Sequence, residues 1–247
     1  MQSIIYSFVA GISTVLGVLI LLFFGKPNKK MLSGLLGFAA GIMIAISLFD
    51  LIPEALELGS VYVVAFSFLL GVGFLFIIDH AIPHAHVHEP DTLEAEVSEP
   101  FQEGRHPLHR TGYLVLFAIA LHNLPEGLAI GAGLESSPQL GLTLAIAIAL
   151  HNIPEGIAIA GPMRAGGVGR GRIVLLTLAA GLMTPLGAIV GQLVFFLSDA
   201  LVGGALAFAA GCMMYIALDE LVPNANKLHT SWANIGVNAA IVIGLLL

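Results

Sequence analysis

The sequence predicts an all-α polytopic membrane protein, a single transmembrane domain over residues 1–247. Three observations predict it. Hydrophobic residues make up 57% of the chain and charged residues 10%, against about 25% charged in a soluble domain, and mean hydropathy is +0.97. Eight apolar stretches approach about 20 residues, the length that crosses the roughly 30 Å hydrocarbon core of a bilayer. All nine Lys and Arg residues fall in alternate connections between those stretches.

The first stretch, about residues 3–24, comes after an uncharged Met1-Gln2-Ser3 and precedes Lys26, Lys29 and Lys30. A cleavable signal carries its positive charge before the apolar core, so this stretch is expected to stay as a span. The second, about 32–52, opens with a small-residue run from Gly34 to Gly41 that lets helices approach closely, and leads into Asp50, Glu54 and Glu57. The third covers about 61–81. A long polar connection, about 82–110, then carries His84, His86 and His88 in alternation, flanked by His80, His106 and His109, among acids such as Glu89, Asp91, Glu94 and Glu96. Alternating histidines of this kind can bind metal, and an acidic, proline-containing loop also suits a plain tether.

Spans four and five, about 112–133 and 139–161, each carry ionisable groups at mid-length. After the flexible turn at Gly166-Gly167-Val168-Gly169, span six covers about 173–197 and includes Leu182-Met183-Thr184-Pro185. Span seven, about 200–222, has a second small-residue run from Gly203 to Gly211 and ends on Asp219 and Glu220. Span eight, about 232–247, is shorter. Met183, Met213 and Met214 read as packing residues.

In this arrangement the Lys and Arg residues lie after spans one, three, five and seven. The positive-inside rule makes that face cytoplasmic and leaves both termini outside the cell membrane. A lone cysteine, Cys212, excludes an internal disulfide or thiolate cage. No basic patch points to nucleic acid; divalent metal ions and the lipid bilayer are the expected partners, and a homodimer is compatible with these features.

Two repeats organise the chain. Phe38-Ala39-Ala40-Gly41-Ile42-Met43 matches Phe208-Ala209-Ala210-Gly211-Cys212-Met213, with ten identities over residues 38–55 at an offset of 170 that include Pro53/Pro223. The matching spans, two and seven, are an odd number of crossings apart and so run in opposite directions. The expected pattern is therefore inverted repeats over about 1–81 and 173–247 around central helices over about 112–161, a pattern common in secondary transporters with a midplane site.

The second repeat is His122-Asn123-Leu124-Pro125-Glu126-Gly127, recurring as His151-Asn152-Ile153-Pro154-Glu155-Gly156. Ionisable groups at the centre of a membrane helix cost about 2.5–3.5 kcal/mol each on insertion scales, so these four need a partner, and a cation is the obvious one. Residues four apart share a helix face. In two antiparallel helices His122 therefore comes level with Glu155 and Glu126 with His151, with Asn123 and Asn152 at the border. Such mixed N/O ligation suits zinc and other first-row divalent ions; two carboxylates can bridge two ions, so one or two metals fit. Pro125 and Pro154 free the carbonyls of Leu121 and Leu150 one turn earlier.

The paired motif on the fourth and fifth of eight spans, with outside termini and a His-bearing loop after span three, resembles the ZIP (Zrt-/Irt-like) metal-ion transporter family of prokaryotic type. The resemblance covers the whole chain. It implies a three-plus-two-plus-three helix arrangement and uptake of zinc, and often iron, manganese, cobalt or cadmium, into the cytoplasm. By motif position it implies His122, Glu126, His151 and Glu155 as ligands of the primary ion, with Met43 approaching the same metal. Asn123, Glu126, Asn152 and Glu155 would surround a second ion. Some members carry Gln and Asp where this chain has His151 and Asn152, and some supply a span-six glutamate where this chain has Thr184. Two negative charges are thereby missing, so one well-held ion and a weak second are expected.

A path is expected from Asp50 and Glu57, through the box, to Asp219 and Glu220, since acids at a mouth concentrate cations. With no ATP-binding motif, movement is expected to be driven by ion gradients or membrane potential, by alternating access, a channel-like route being the variant. The metal is cargo and no cofactor or catalysis is expected. The alternatives are a membrane-embedded metal hydrolase, which the order His-Asn-x-Pro-Glu does not match, and a metal sensor resting on the loop histidines.

Overall fold

The computed structural model describes residues 2–25, 28–81, 107–195 and 198–246, and the described residues form helices and no strand. In chain order these are α1 (Gln2–Phe24), α2 (Lys29–Ile46), a π turn (Ser47–Leu51), α3 (Ile52–Leu58), α4 (Val61–Ala81), α5 (Pro107–Ser136) and α6 (Pro138–Ala165). Next come α7 (Arg170–Gly181), α8 (Met183–Phe195), α9 (Asp199–Ile216), a second π turn (Ala217–Leu221) and α10 (Val222–Gly244). Six stretches among the described residues are long and apolar enough to cross a membrane: Gln2–Phe24, Lys29–Leu58, Val61–Ile78, Pro138–Gly161, Arg170–Gln192 and Asp199–Gly244.

Six differs from the eight expected for two reasons: α5, which holds the fourth expected span, is not among these stretches, and the last two expected spans run together. Asp199–Gly244 has 46 residues, about 69 Å of straight helix, twice what the hydrocarbon core requires. It is not straight. His229 leaves helical geometry at φ −172° and ψ 100°, and Ser33 of α2 sits against the break, its Oγ 2.8 Å from the carbonyls of both Ala225 and His229. Helix α5 also starts earlier than expected, at Pro107. Span six is interrupted: α7 stops at Gly181 and α8 begins at Met183. Pro185, which cannot donate and whose ring crowds the carbonyl four residues back, accounts for that interruption.

Proline also explains both π turns. Pro53 and Pro223 stand in the first turns of α3 and α10, and the preceding helix widens by one residue to accommodate each. Ile52 N–H then reaches Ser47 O, and Val222 N–H reaches Ala217 O, five residues back. The two turns lie 170 residues apart, as the sequence repeat does.

Other contacts recur at that offset. The Asn152 amide donates to Ala10 O at 2.9 Å, and the Asn123 amide to Ala180 O at 3.0 Å. Gly156 lies against the Thr14 carbonyl and Gly127 against that of Thr184; Gly17 meets Ile153 O and Gly187 meets Leu124 O. Gly11 and Gly181 each press on the other's carbonyl. At these crossings backbone meets backbone, and a Cβ would have no space. The neighbours pair in the same sense: α1 on α6 and α8 on α5, α2 on α6 and α9 on α5, α2 on α10 and α9 on α4. Helices α5 and α6 pack against each other at the centre, with the largest buried cluster, including Ile42, Met43, Ile130, Ile148, Leu206 and Met213, beside them.

Candidate metal centre

Helices α5 and α6 are antiparallel and bring their two motifs face to face. His122 Nε2 lies 3.1 Å from Glu155 Oε1, and His151 Nε2 lies 2.9 Å from Glu126 Oε1. Within α5, His122 Nε2 stands 3.9 Å from Glu126 Oε1, one helical turn away. One ligand atom each from His122, Glu126 and Glu155 falls within 4.8 Å of the others. Glu126 and His151 are 0% exposed, Glu155 1% and His122 4%. The sequence-derived pairing of levels, His122 with Glu155 and Glu126 with His151, is thus the pairing present.

The hydrogen-bond chemistry of this box asks for a cation. His151 Nδ1 lies 3.2 Å from the Ala147 carbonyl, an oxygen that only accepts, so Nδ1 carries the ring proton in that bond. In a neutral ring Nε2 then presents a lone pair to Glu126 at 2.9 Å, so the contact needs either a second ring proton on Nε2 or a metal cation in its place. Glu126 Oε2, Glu155 Oε2, Asn123 Oδ1 and Asn152 Oδ1 are buried with no hydrogen-bond donor among the described residues. Each orphaned acceptor costs about 1–3 kcal/mol. The ligand atoms of His122, Glu126 and Glu155, within 4.8 Å of one another, make a donor set of mixed N and O that fits a borderline divalent ion. A tetrahedral zinc with ligands at about 2.0–2.2 Å keeps neighbouring ligand atoms roughly 3.3–3.6 Å apart, so both His–Glu pairs, at 3.1 and 2.9 Å, would spread by less than about 1 Å to hold one.

Both asparagines act twice. Each turns its Oδ1 away unpartnered while its amide ties the motif helix to a flanking one, α6 to α1 through Ala10 and α5 to α7 through Ala180. Sequence reasoning assigned the oxygens and missed the tethers; the offset of 170 between Ala10 and Ala180 is the signal that could have found them. Thr184 is fully buried on α8, its hydroxyl without a hydrogen-bond partner among the described residues.

The other sequence-derived residues are spread more widely. Met43 is fully buried on α2, the helix that packs on α6. Asp50 lies half-buried on the first π turn with Oδ2 lacking a donor among the described residues. Glu57 and Asp219 are exposed and Glu220 is partly buried. Glu54 accepts a hydrogen bond from Ser136 at the far end of α5, a link between elements that sequence reading did not anticipate. His84, His86 and His88 lie outside the described residues.

A family model described as ZIP Zinc transporter matches residues 88–247. The chain is 35% identical to a protein of Corynebacterium efficiens named zinc transporter ZupT, over 96% of this chain and 94% of the relative. It is 38% identical to the protein of that name in Chlorobium limicola, over 88% of this chain and 85% of the relative. For the one in Escherichia fergusonii the identity is 34%, over 91% and 87%.

Proposed function

Since this chain belongs to the ZIP zinc transporter family of multi-pass membrane metal transporters, we propose that it carries zinc into the cytoplasm through the box formed by His122, Glu126, His151 and Glu155. One observation carries the reading: two buried His–Glu contacts, related by the motif repeat, with four buried acceptor oxygens of the two motifs lacking a donor among the described residues. A cation resolves both the facing lone pairs and the orphaned oxygens. The four side chains take the primary ion, and the Asn123 and Asn152 oxygens border a second position held more weakly, since Asn152 and Thr184 bring no charge to it. Iron, manganese, cobalt and cadmium fit the same donor set, with geometry and availability deciding among them.

Eight crossings in a three-plus-two-plus-three order account for the contacts. With the break at His229 taken as a turn, α2 and the second half of α10 run parallel, as their paired contacts Gly37–Ala233 and Gly41–Val237 require. The corresponding position in the first repeat is Gly59, the break between α3 and α4. The contacts at offset 170 support an inverted repeat about the centre of α5 and α6. On this reading α1, α5, α6 and α7–α8, tied by glycine crossings and asparagine amides, move as one group against the other four spans. The box is then exposed to one side at a time, with Asp50 and Glu57 at the outer mouth and Asp219 and Glu220 at the inner.

The experiment is zinc flux into proteoliposomes loaded with a zinc-sensitive dye, comparing wild type with Glu126→Ala and His151→Ala. Saturable flux that both folded variants lose supports the box as the transport site. Zinc binding with no flux in any form, or turnover of a lipid or peptide, overturns transport in favour of a sensor or a hydrolase.

A further inference from the structure

Between α2 and the second half of α10 lies a groove of about 480 Å³ that the metal path does not use. One end carries Asn28 and Lys30, and the walls beyond are Gly34, Phe38, Trp232 and Gly236. Because the two helices run parallel here, Gly34 faces Trp232 and Phe38 faces Gly236, and the lining is apolar throughout apart from the Asn28 and Lys30 end. Lys30 lies eight residues before Phe38, about 12 Å of helix. Among the described residues, no acid lines it. The Asn28 side-chain oxygen accepts from Met31 N–H at 2.9 Å, a bond that does not use its amide hydrogens.

We propose that this groove binds an anionic glycerophospholipid, with one acyl chain along Phe38 and Gly236 and the phosphate-bearing headgroup at Lys30 and Asn28. An apolar groove with its polar residues at one end suits an amphiphile. The volume is about that of a single turn of a helix 10–12 Å across, enough for a chain-like ligand and too small for a helix of a second copy. The cation sets the sign of the headgroup: Lys30 is exposed, and the sequence puts Lys26 and Lys29 beside it. Trp232 stands near this end, where an amphipathic ring suits the headgroup boundary. The space exists because Gly34 has no side chain; a Cβ there would sit 3.7 Å from the Trp232 ring in ordinary contact, so a larger residue can fill the groove without pushing backbone apart.

Trp232 is the only tryptophan in the chain and reports directly. The protein is reconstituted in phosphatidylcholine vesicles containing phosphatidylglycerol, with bromine on the acyl chains of one lipid or the other. Brominated phosphatidylglycerol is expected to quench Trp232 at about fivefold lower mole fraction than brominated phosphatidylcholine, the preference one lysine near a membrane surface supplies. Lys30→Glu abolishes that preference and leaves quenching by phosphatidylcholine intact. Gly34→Leu lowers quenching by both lipids, and zinc flux in the same vesicles shows that each variant is folded. Equal quenching by the two lipids, or a preference that survives Lys30→Glu, overturns the proposal in favour of ordinary boundary lipid. Absence of quenching by either lipid overturns it in favour of a second copy covering the face.

Discussion

Glu126→Gln separates the metal reading of the box from a purely structural one. In the wild type, His151 Nε2 faces Glu126 Oε1 at 2.9 Å with its Nδ1 proton committed to Ala147 O. A glutamine of the same length puts an amide donor opposite that lone pair and completes a neutral hydrogen bond with no ion present. The metal-free variant is therefore expected to be about as stable as the metal-free wild type, because a buried charge is gone while only one amide N–H is left without a partner. Zinc binding suffers instead. A carboxylate about 2.1 Å from a divalent ion is worth about 16 kcal/mol at an effective dielectric constant near 20. If the ion's dehydration takes back four-fifths of that, about 3 kcal/mol remains, a factor of about 10² in Kd.

Zinc at 100 times the wild-type Kd stabilises the folded protein by about 2.7 kcal/mol, a rise of about 5–11 °C in Tm for a chain of this size. The same zinc concentration gives the variant about 0.4 kcal/mol, or about 1–2 °C. Thermal unfolding of purified protein with and without zinc reads both quantities, and proteoliposome flux reads the consequence. A Glu126→Gln protein that keeps the full zinc-dependent rise and wild-type flux refutes the reasoning, because the box would then be a structural pair and the ion would bind elsewhere.

Gly127→Ala and Gly156→Ala each place a methyl against a carbonyl of the neighbouring helix, Thr184 and Thr14 respectively. Each should cost about 1–3 kcal/mol or more, whereas Gly73→Ala, which meets nothing within 4 Å, should cost little; equal thermal stability of the three refutes the close crossings. Asn152→Leu removes the tether to Ala10 and one of the four orphaned oxygens. Its expected result is lower maximal flux with zinc still raising Tm, and unchanged flux would show that the amide bond is incidental. Glu220→Gln and Glu57→Gln should raise the zinc concentration for half-maximal flux severalfold, most at low salt, where a mouth charge focuses cations over a longer range; salt-independent effects would argue against a steering role. Ser136→Ala breaks the link from α5 to Glu54, and the expected change is in flux rate with zinc affinity held.

Local rules made part of this protein legible in its sequence. Hydrocarbon-length apolar runs mark helices, and a four-residue spacing puts His122 and Glu126 on one stripe. Two copies of that spacing on antiparallel neighbours bring His122 to Glu155 and His151 to Glu126. Those inferences needed only helix geometry and the cost of ionisable groups away from water. Tertiary structure decided the rest, because it depends on which backbones touch. Nothing local in Asn152 says that its amide reaches Ala10, 142 residues away, and nothing local in Thr184 says that its carbonyl rests on Gly127. The proline-driven π turns, the interruption at Leu182 and the break at His229 likewise come from how the chain satisfies its backbone groups where the helices are broken, and a hydropathy pattern does not record that. The physical reason is that burial is set by composition, while register is set by contacts between residues far apart in the chain.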